Sequence, residues 1–332
     1  MPRGVVLEDI DHGKAMADFV ASLAGDHDDL VARMRKVSHT AKSGSAGVNI
    51  HAHFLAFRNG LPTLHEFVEI LSTKLIGFCL PRKHIQDAQT GWASLPLMKQ
   101  LEKAVHLQNK AIDLFKRANK STNRNGEFGE VITYLLIESV LHAPQFIAKM
   151  SLKTNSQMPV HGSDGIHLSY DAATKQLKLY WGEAKCYQAV NTAIESAIES
   201  VAENLEQNKM SHELFLIEQH FDLSGFPADY KEAILSFLDP YSENSNVRAD
   251  VSVVFIAFDF AAFAEMKALE PGLVETAFAE ELRSALPALA LRIDEALAKH
   301  SVPSHSIEVF FLPVASVKDL REQFQNRIGW TT

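Results

Sequence analysis

Val251 to Asp259 reads Val-Ser-Val-Val-Phe-Ile-Ala-Phe-Asp, an apolar run with almost no polar alternation. A strand of that composition must be covered on both faces, which a sheet held between helical layers provides. The chain upstream supplies the layers. Glu127–His142 carries Phe128, Val131, Ile132, Leu135, Leu136 and Val140 at helical spacing and stops before Pro144. Phe146–Leu152 reads as a strand. Ile166–Tyr170 and Leu177–Ala184 read as strands joined by the polar segment 171–176, which makes them a hairpin. Gln188–Gln207 is a long helix with small apolar residues at helical spacing. From Glu127 the order is therefore helix, three strands, helix and a later buried strand. The expected class is α/β, a mixed sheet flanked by helices.

The first 120 residues read as a further mixed α/β region. Ala15–Leu23, Leu30–Val37, Leu64–Lys74 and Leu95–Ala118 are expected to be helical, and Val48–Phe57 to be a strand ending in the turn Arg58-Asn59-Gly60. Lys120–Gly126 is polar and turn-rich. It divides the 332 residues into an N-terminal region for regulation or partner docking, 1–120, and a second domain, 121–332. In the second domain Glu213–Glu218, Tyr230–Leu238, Thr276–His300 and Val317–Ile328 are expected helices, and Ile307–Pro313 an expected strand.

Charge and cysteine usage narrow the class. The net charge of −9 weighs against a stand-alone nucleic-acid binder. Locally the balance reverses: 99–124 holds seven basic residues against two acidic ones. That stretch is either a grip on an anionic partner or a solvated helix face. No apolar run is long enough to span a bilayer. The N-terminus lacks the shape of a signal peptide. Cys79 and Cys186 are too few for a zinc cluster or a disulfide framework and fit a reducing compartment. A cytoplasmic protein without a membrane partner is expected.

One constellation carries chemistry. Gly162-Ser163-Asp164-Gly165-Ile166 is followed, across the hairpin, by Gly182-Glu183-Ala184-Lys185. Phosphodiester hydrolysis needs an activated water, a neutralised phosphate and a stabilised leaving oxygen. Hard divalent cations take carboxylate and carbonyl oxygens, so Asp164 and Glu183 are candidate magnesium ligands, with the backbone carbonyl of Ala184 as a further oxygen. Manganese is the expected substitute. Residues 183 and 185 of a strand share a face, which puts Lys185 beside Glu183, able to hold water or offset phosphate charge. Gly162, Gly165 and Gly182 are expected to leave room for phosphate or metal beside the backbone. Upstream, Glu127 and Glu130 lie on neighbouring positions of one helix face. Glu130, a turn further in, is the preferred additional metal or water ligand, while Glu127 suits the positive end of the helix; the choice stays open. Glu-x-Lys alone is weak, and a surface hairpin with an ordinary Glu–Lys pair is the plain alternative. The helix, the hairpin and the aspartate together are what strengthen it.

Other features are weaker. His51-Ala52-His53 lacks a third ligand, and His300 and His305 lack a partner. His161 and His167 flank Asp164 and are expected to be non-catalytic. Tyr187 and Gln188 border the cleft and are expected to be structural. Cys186 has a neighbouring lysine but no general base. Ser43-Gly44-Ser45-Ala46-Gly47 lacks the Gly-Lys-Ser/Thr ending of a P-loop and reads as a flexible loop.

Glu130, Asp164 and Glu183-Ala184-Lys185 together resemble the PD-(D/E)xK nuclease superfamily, with Ser163 where that pattern has proline. More closely, Arg124-Asn-Gly-Glu-Phe-Gly-Glu130, Gly162-Ser-Asp-Gly-Ile-His167 and Trp181-Gly-Glu-Ala-Lys185 look like the nuclease subunit of the Hachiman bacterial anti-phage system. The motifs cover about residues 124–200. The resemblance implies a PD-(D/E)xK nuclease core within 121–332 and metal-dependent DNA cleavage. It also implies a superfamily 2 helicase partner that scans DNA and restrains and delivers the nuclease until aberrant DNA releases it. The rival readings are a restriction or junction-specific endonuclease, a non-catalytic helicase-binding adaptor that keeps the nuclease fold, and a scaffold with no nucleic acid.

Overall fold

The computed structural model describes residues 12–45, 47–119, 126–148, 150, 165–206, 227–239 and 241–330. Its centre is a seven-stranded mixed sheet. The strands are β1 (Met34–Lys36), β2 (Val48–Leu55), β5 (Gln145–Ile147), β6 (Gly165–Asp171), β7 (Gln176–Cys186), β8 (Arg248–Asp259) and β9 (Ser306–Val314). They lie in the order β1-β2-β9-β8-β7-β6-β5. β2, β9, β8 and β7 are mutually parallel, and β1, β6 and β5 are antiparallel to their neighbours. A separate hairpin pairs β3 (Phe57–Arg58) with β4 (Leu61–Pro62) through Asn59 and Gly60, both at positive φ.

The helices are α1 (His12–Leu23), α2 (Asp28–Val31), α3 (Leu64–Cys79), α4 (Arg82–Gln89), α5 (Leu97–Asn119), α6 (Glu127–Val140), α7 (Val190–Glu206), α8 (Ala228–Leu238), α9 (Ala262–Met266), α10 (Pro271–Lys299) and α11 (Val317–Arg327). β8 shows why both faces must be covered. Val251, Val253, Phe255 and Ala257 join the core beneath α3, α5, α6 and α11. Val254, Ile256 and Phe258 join the opposite core, beneath α7 and α10. Burial of both alternating sets makes the apolar run a central strand. A third cluster sets α1 and α8 against Leu177, Leu179 and Trp181 of β7 and Ile166 and Leu168 of β6.

Several expectations need correction. Leu30–Val37 is not a helix: α2 ends at Val31 and the chain enters β1 at Met34. Its apolar residues sit at helical spacing, but Met34 and Val37 are buried in the two cores on opposite sides of the sheet. Pairing with the free edge of β2 thus overrides local propensity. α3 runs on to Cys79, α4 was not anticipated, and the strand after Pro144 is confined to Gln145–Ile147. Glu213–Glu218 lies outside the described residues. Strands from either side of the 120/121 boundary share one sheet, because β2 pairs in parallel with β9. The Ser/Gly loop is not free: the Asp294 carboxylate accepts from Gly44 N at 2.7 Å, from Ser45 Oγ at 2.9 Å and from Ser43 Oγ.

The contact that fixes α6 on the sheet depends on glycine. A Cβ on Gly129 would stand 2.6 Å from Cys186 Sγ and 3.0 Å from Ala184 Cβ. Helix propensity alone favours replacing Gly129, but overpacking a buried helix–strand contact costs more. Gly129→Val is therefore expected to lower stability by roughly 1–3 kcal/mol. The denaturant midpoint checks this, and an unchanged or raised midpoint would show the contact to be slack.

Candidate active site

The antiparallel register of the hairpin runs from Asp171↔Gln176 to Gly165↔Gly182. β7 continues past that last pair through Glu183–Cys186, held on its other side by Val254–Ala257 of β8. The Glu-x-Lys sequence thus begins at the residue after the last described pair of the hairpin. Asp164, the residue before Gly165, lies outside the described residues, as do His161, Gly162 and Ser163.

Glu183 and Lys185 share a face, as alternation requires, and Lys185 Nζ donates to Glu183 Oε1 at 2.6 Å. Both side chains are largely covered, Lys185 16% and Glu183 18% exposed. Residues 182 and 184 turn to the other face, towards α6. A Cβ on Gly182 would meet Thr133 Cγ2 at 3.1 Å and Ile137 Cδ1 at 3.5 Å, and Ala184 lies against Gly129. Gly182 therefore makes room for the helix, which corrects the expectation that its space is kept for phosphate or metal. Gly165 also sits close to protein, its Cβ position 3.4 Å from His167 Nε2.

α6 brings Glu130 to this place from the other side. Glu130 lines a closed crevice, without room for a water molecule, together with Thr133, Tyr134, Gly165, His167 and Gly182. Gly182 precedes Glu183 in β7 and Gly165 follows Asp164 in the chain, so Glu130 comes close to the described neighbours of both candidate ligands. Glu127 is buried at the start of the helix. Among the described residues no group of three or more His, Cys, Asp or Glu is gathered closely enough to hold a metal ion. The donors that are present are hard: the Glu183 carboxylate already sits against a cation, while the adjoining Cys186 thiol is buried and turned towards Gly129. That chemistry fits magnesium or manganese and not a soft, thiolate-bound metal.

The decoys are absorbed by structure. His51 Nε2 lies 2.6 Å from Glu308 Oε2 and its ring stacks on Phe310. His53 is buried, and burial holds its pKa down to about 3. His300 Nε2 is 2.6 Å from Glu195 Oε1, and His305 Nε2 is 3.0 Å from Ser252 Oγ.

Sequence reading missed Glu138, a buried carboxylate on the otherwise apolar C-terminal half of α6. Its Oε2 is 2.5 Å from His27 Nε2, and its Oε1 accepts from Gln145 N at 2.7 Å with Arg82 Nη2 at 3.6 Å. The signal was there: an acid in Leu-Ile-Glu-Ser-Val, one turn after Tyr134. Burial pushes its pKa up, but the hydrogen bond from His27 and the charges around it prevail and leave it lowered. Tyr134, buried beside that carboxylate, is pushed up.

His167 belongs to the same neighbourhood. It is fully enclosed, its Nδ1 is 2.9 Å from Ala143 O, and burial lowers its pKa to about 4 against an ordinary 6.5. The neutral ring is therefore favoured by folding. Its contribution is complete above pH 6.5 and is lost progressively as pH falls towards 4. In urea unfolding, His167→Gln is expected to flatten the decline of stability with acid over that interval. An unchanged slope would remove His167 from the account of acid sensitivity.

No helix among the described residues is long and apolar enough to cross a membrane. No curated protein matches the chain at a significant level. A protein-family model, HamA, matches residues 33–328, which includes α6, the hairpin and all the strands of the sheet. That family is part of the Hachiman anti-phage defence system, which also includes a helicase. With the match running through nearly the whole chain, the protein belongs to the HamA family.

Proposed function

We propose that this chain is a metal-dependent deoxyribonuclease with a PD-(D/E)xK core, acting in anti-phage defence with a helicase that restrains it and delivers it to DNA. One observation carries the reading: Lys185 Nζ is bonded to Glu183 Oε1 at 2.6 Å, just past the Gly165–Gly182 pair of the hairpin, with both side chains largely covered. A surface hairpin would leave such a pair exposed. Here both partners are largely covered, which is costly unless the charges serve a purpose.

In this reading Asp164, Glu183, the Ala184 carbonyl and Glu130 hold magnesium. Bound there, magnesium would neutralise the phosphate and lower the pKa of a coordinated water. The protein does the positioning. Glu183 fixes the Lys185 ammonium through their hydrogen bond, so that it meets the scissile phosphate already oriented. Lys185 offsets charge as it grows on the phosphate oxygens and donates to the attacking water. Glu130, carried on a helix pinned by Gly129, would add the further carboxylate from the α6 side of β7, beside Gly182. The acidic net charge of −9 suits a subunit that relies on a partner for much of its grip on DNA. The first 120 residues are the proposed docking or regulatory part.

The test is incubation of the purified chain, alone and with the helicase, with supercoiled and linear DNA in magnesium, manganese or chelator. Metal-dependent cleavage in either arm supports the reading. Discrete fragments, or cutting confined to branched DNA, would favour a restriction or junction enzyme. No cleavage in any arm, with the helicase still bound, would make the chain an adaptor.

A further inference from the structure

Beyond β7 the chain forms a second feature that the proposed chemistry does not use. A groove is lined by Cys186, Tyr187, Gln188, Thr192, Lys318 and Arg321. It opens at the C-terminal ends of the parallel strands. There α7 leaves β7 for one side of the sheet, while α11 leaves β9 for the other. Ligands of open α/β sheets bind in crevices formed where successive connections part to opposite faces. The groove begins at the residue after Lys185. Its floor is rigid, because Tyr187 N donates to Ala257 O and Asp259 N donates to Gln188 O, both at 3.1 Å.

The groove is built for an anion. Arg321 Nε is buried and has no hydrogen-bond partner among the described residues. Nε itself is closed off, but the guanidinium lines the groove and no carboxylate among the described residues pairs with it, so its terminal Nη groups are the donors that suit a phosphate. Lys318 adds a second cation. Its nearest carboxylate is Glu322 at 3.7 Å, an exposed pair that holds it only loosely. The amides at the start of α11 play no part, since Val317 N already donates to Asp259 Oδ1 at 2.6 Å and Asp319 N to Ser316 Oγ at 3.1 Å. Tyr187 is exposed, with its ring free to meet a flat partner.

We propose that this groove seats the substrate strand next to the scissile bond. Arg321 and Lys318 grip a backbone phosphate and Tyr187 stacks an unpaired base, so the strand is single there. The inference rests on the nuclease reading for the identity of the anion. Phosphate contacts with a stacking aromatic are the usual combination for single strands.

The test is fluorescence anisotropy of a labelled single-stranded oligonucleotide with the full chain in chelator, where binding is read without metal-dependent cleavage. Lys318→Glu and Arg321→Gln are each expected to weaken binding roughly tenfold and to reduce the salt slope by about 1. Tyr187→Ala is expected to weaken single-strand binding roughly tenfold and duplex binding little. Lys318 is 65% exposed, so its variant folds whatever becomes of Arg321. Unchanged affinity and slope in Lys318→Glu and Arg321→Gln would overturn the proposal. So would displacement of the oligonucleotide by inorganic phosphate at equal phosphate concentration, which would make the groove a site for a free anion. Binding lost in these variants, in a chain that never cleaves, would keep the groove and sink the nuclease reading. Cleavage that needs Glu183, with binding untouched by them, would do the reverse.

Discussion

Glu183→Gln is expected to lower metal-dependent DNA cleavage by at least about 10²–10³-fold, with the fold intact. The amide keeps the size and the hydrogen-bonding oxygen of the carboxylate but removes its charge. That loss acts twice: it weakens a hard-cation ligand, and it weakens the 2.6 Å bond that orients Lys185 Nζ from a charge-assisted to an ordinary hydrogen bond. Lys185→Ala should fall as far by the second route alone, and Lys185→Arg should recover little, because a planar guanidinium cannot take the place of a compact ammonium. Stability should fall by roughly 1–3 kcal/mol without loss of the fold, because each variant leaves one member of a largely covered charged pair without its partner. Cleavage rates and thermal melts of the same preparations check both halves. Unimpaired cleavage by Glu183→Gln would remove the site; lost cleavage together with a collapsed melt would reassign Glu183 to structure.

Glu138→Ala should do the opposite, costing about 3–5 kcal/mol of stability because it breaks a buried charged network. The carboxylate ties together four parts of the chain: the loop holding His27 before α2, Arg82 at the start of α4, the first amide of β5, and α6 itself. Without it His27 and Arg82 face each other across a buried gap, and Gln145 N loses its acceptor. Glu138→Gln should cost less, since an amide oxygen can still accept from Gln145 N. The lowered pKa of Glu138 gives the direction with pH. Its stabilisation is present above the ordinary carboxylate value of 4.5 and is lost as pH falls through the depressed folded value. The destabilisation by Glu138→Ala should therefore shrink in strong acid. Chemical denaturation at neutral and acid pH tests this. A cost under about 1 kcal/mol at neutral pH would mean that water replaces the carboxylate.

This network also bears on the site. α6 is held at its N-terminal half by the fit of Gly129 against Ala184 and Cys186, and at its C-terminal half by Glu138. Glu130 lies between the two anchors. Glu138 is thus a positioning residue for the crevice. In our reading, a mild variant such as Glu138→Gln alters cleavage only so far as it shifts the helix.

Much of this was legible in the sequence because it is local. An apolar run such as Val251–Asp259 has to be buried on both faces. The alternation of Leu177, Leu179 and Trp181 sets one face of β7, and the same alternation puts Glu183 and Lys185 together. The hairpin register follows from its turn. What the sequence could not decide were contacts between distant segments. Met34 and Val37 sit at helical spacing, and only the free edge of β2 turns them into a strand. Gly182 reads as space for a ligand until α6 fills it with Thr133 and Ile137. His27 and Glu138 are far apart in the chain and meet only after folding. The sequence determined the periodicities, and with them the strands, the helices and the residue types able to bind a hard cation. The tertiary structure decided which faces meet, and so which of those residues are packed, paired or left to act. Periodicity is a property of neighbouring residues, whereas burial and pairing depend on free energies shared between segments that the chain brings together from a distance.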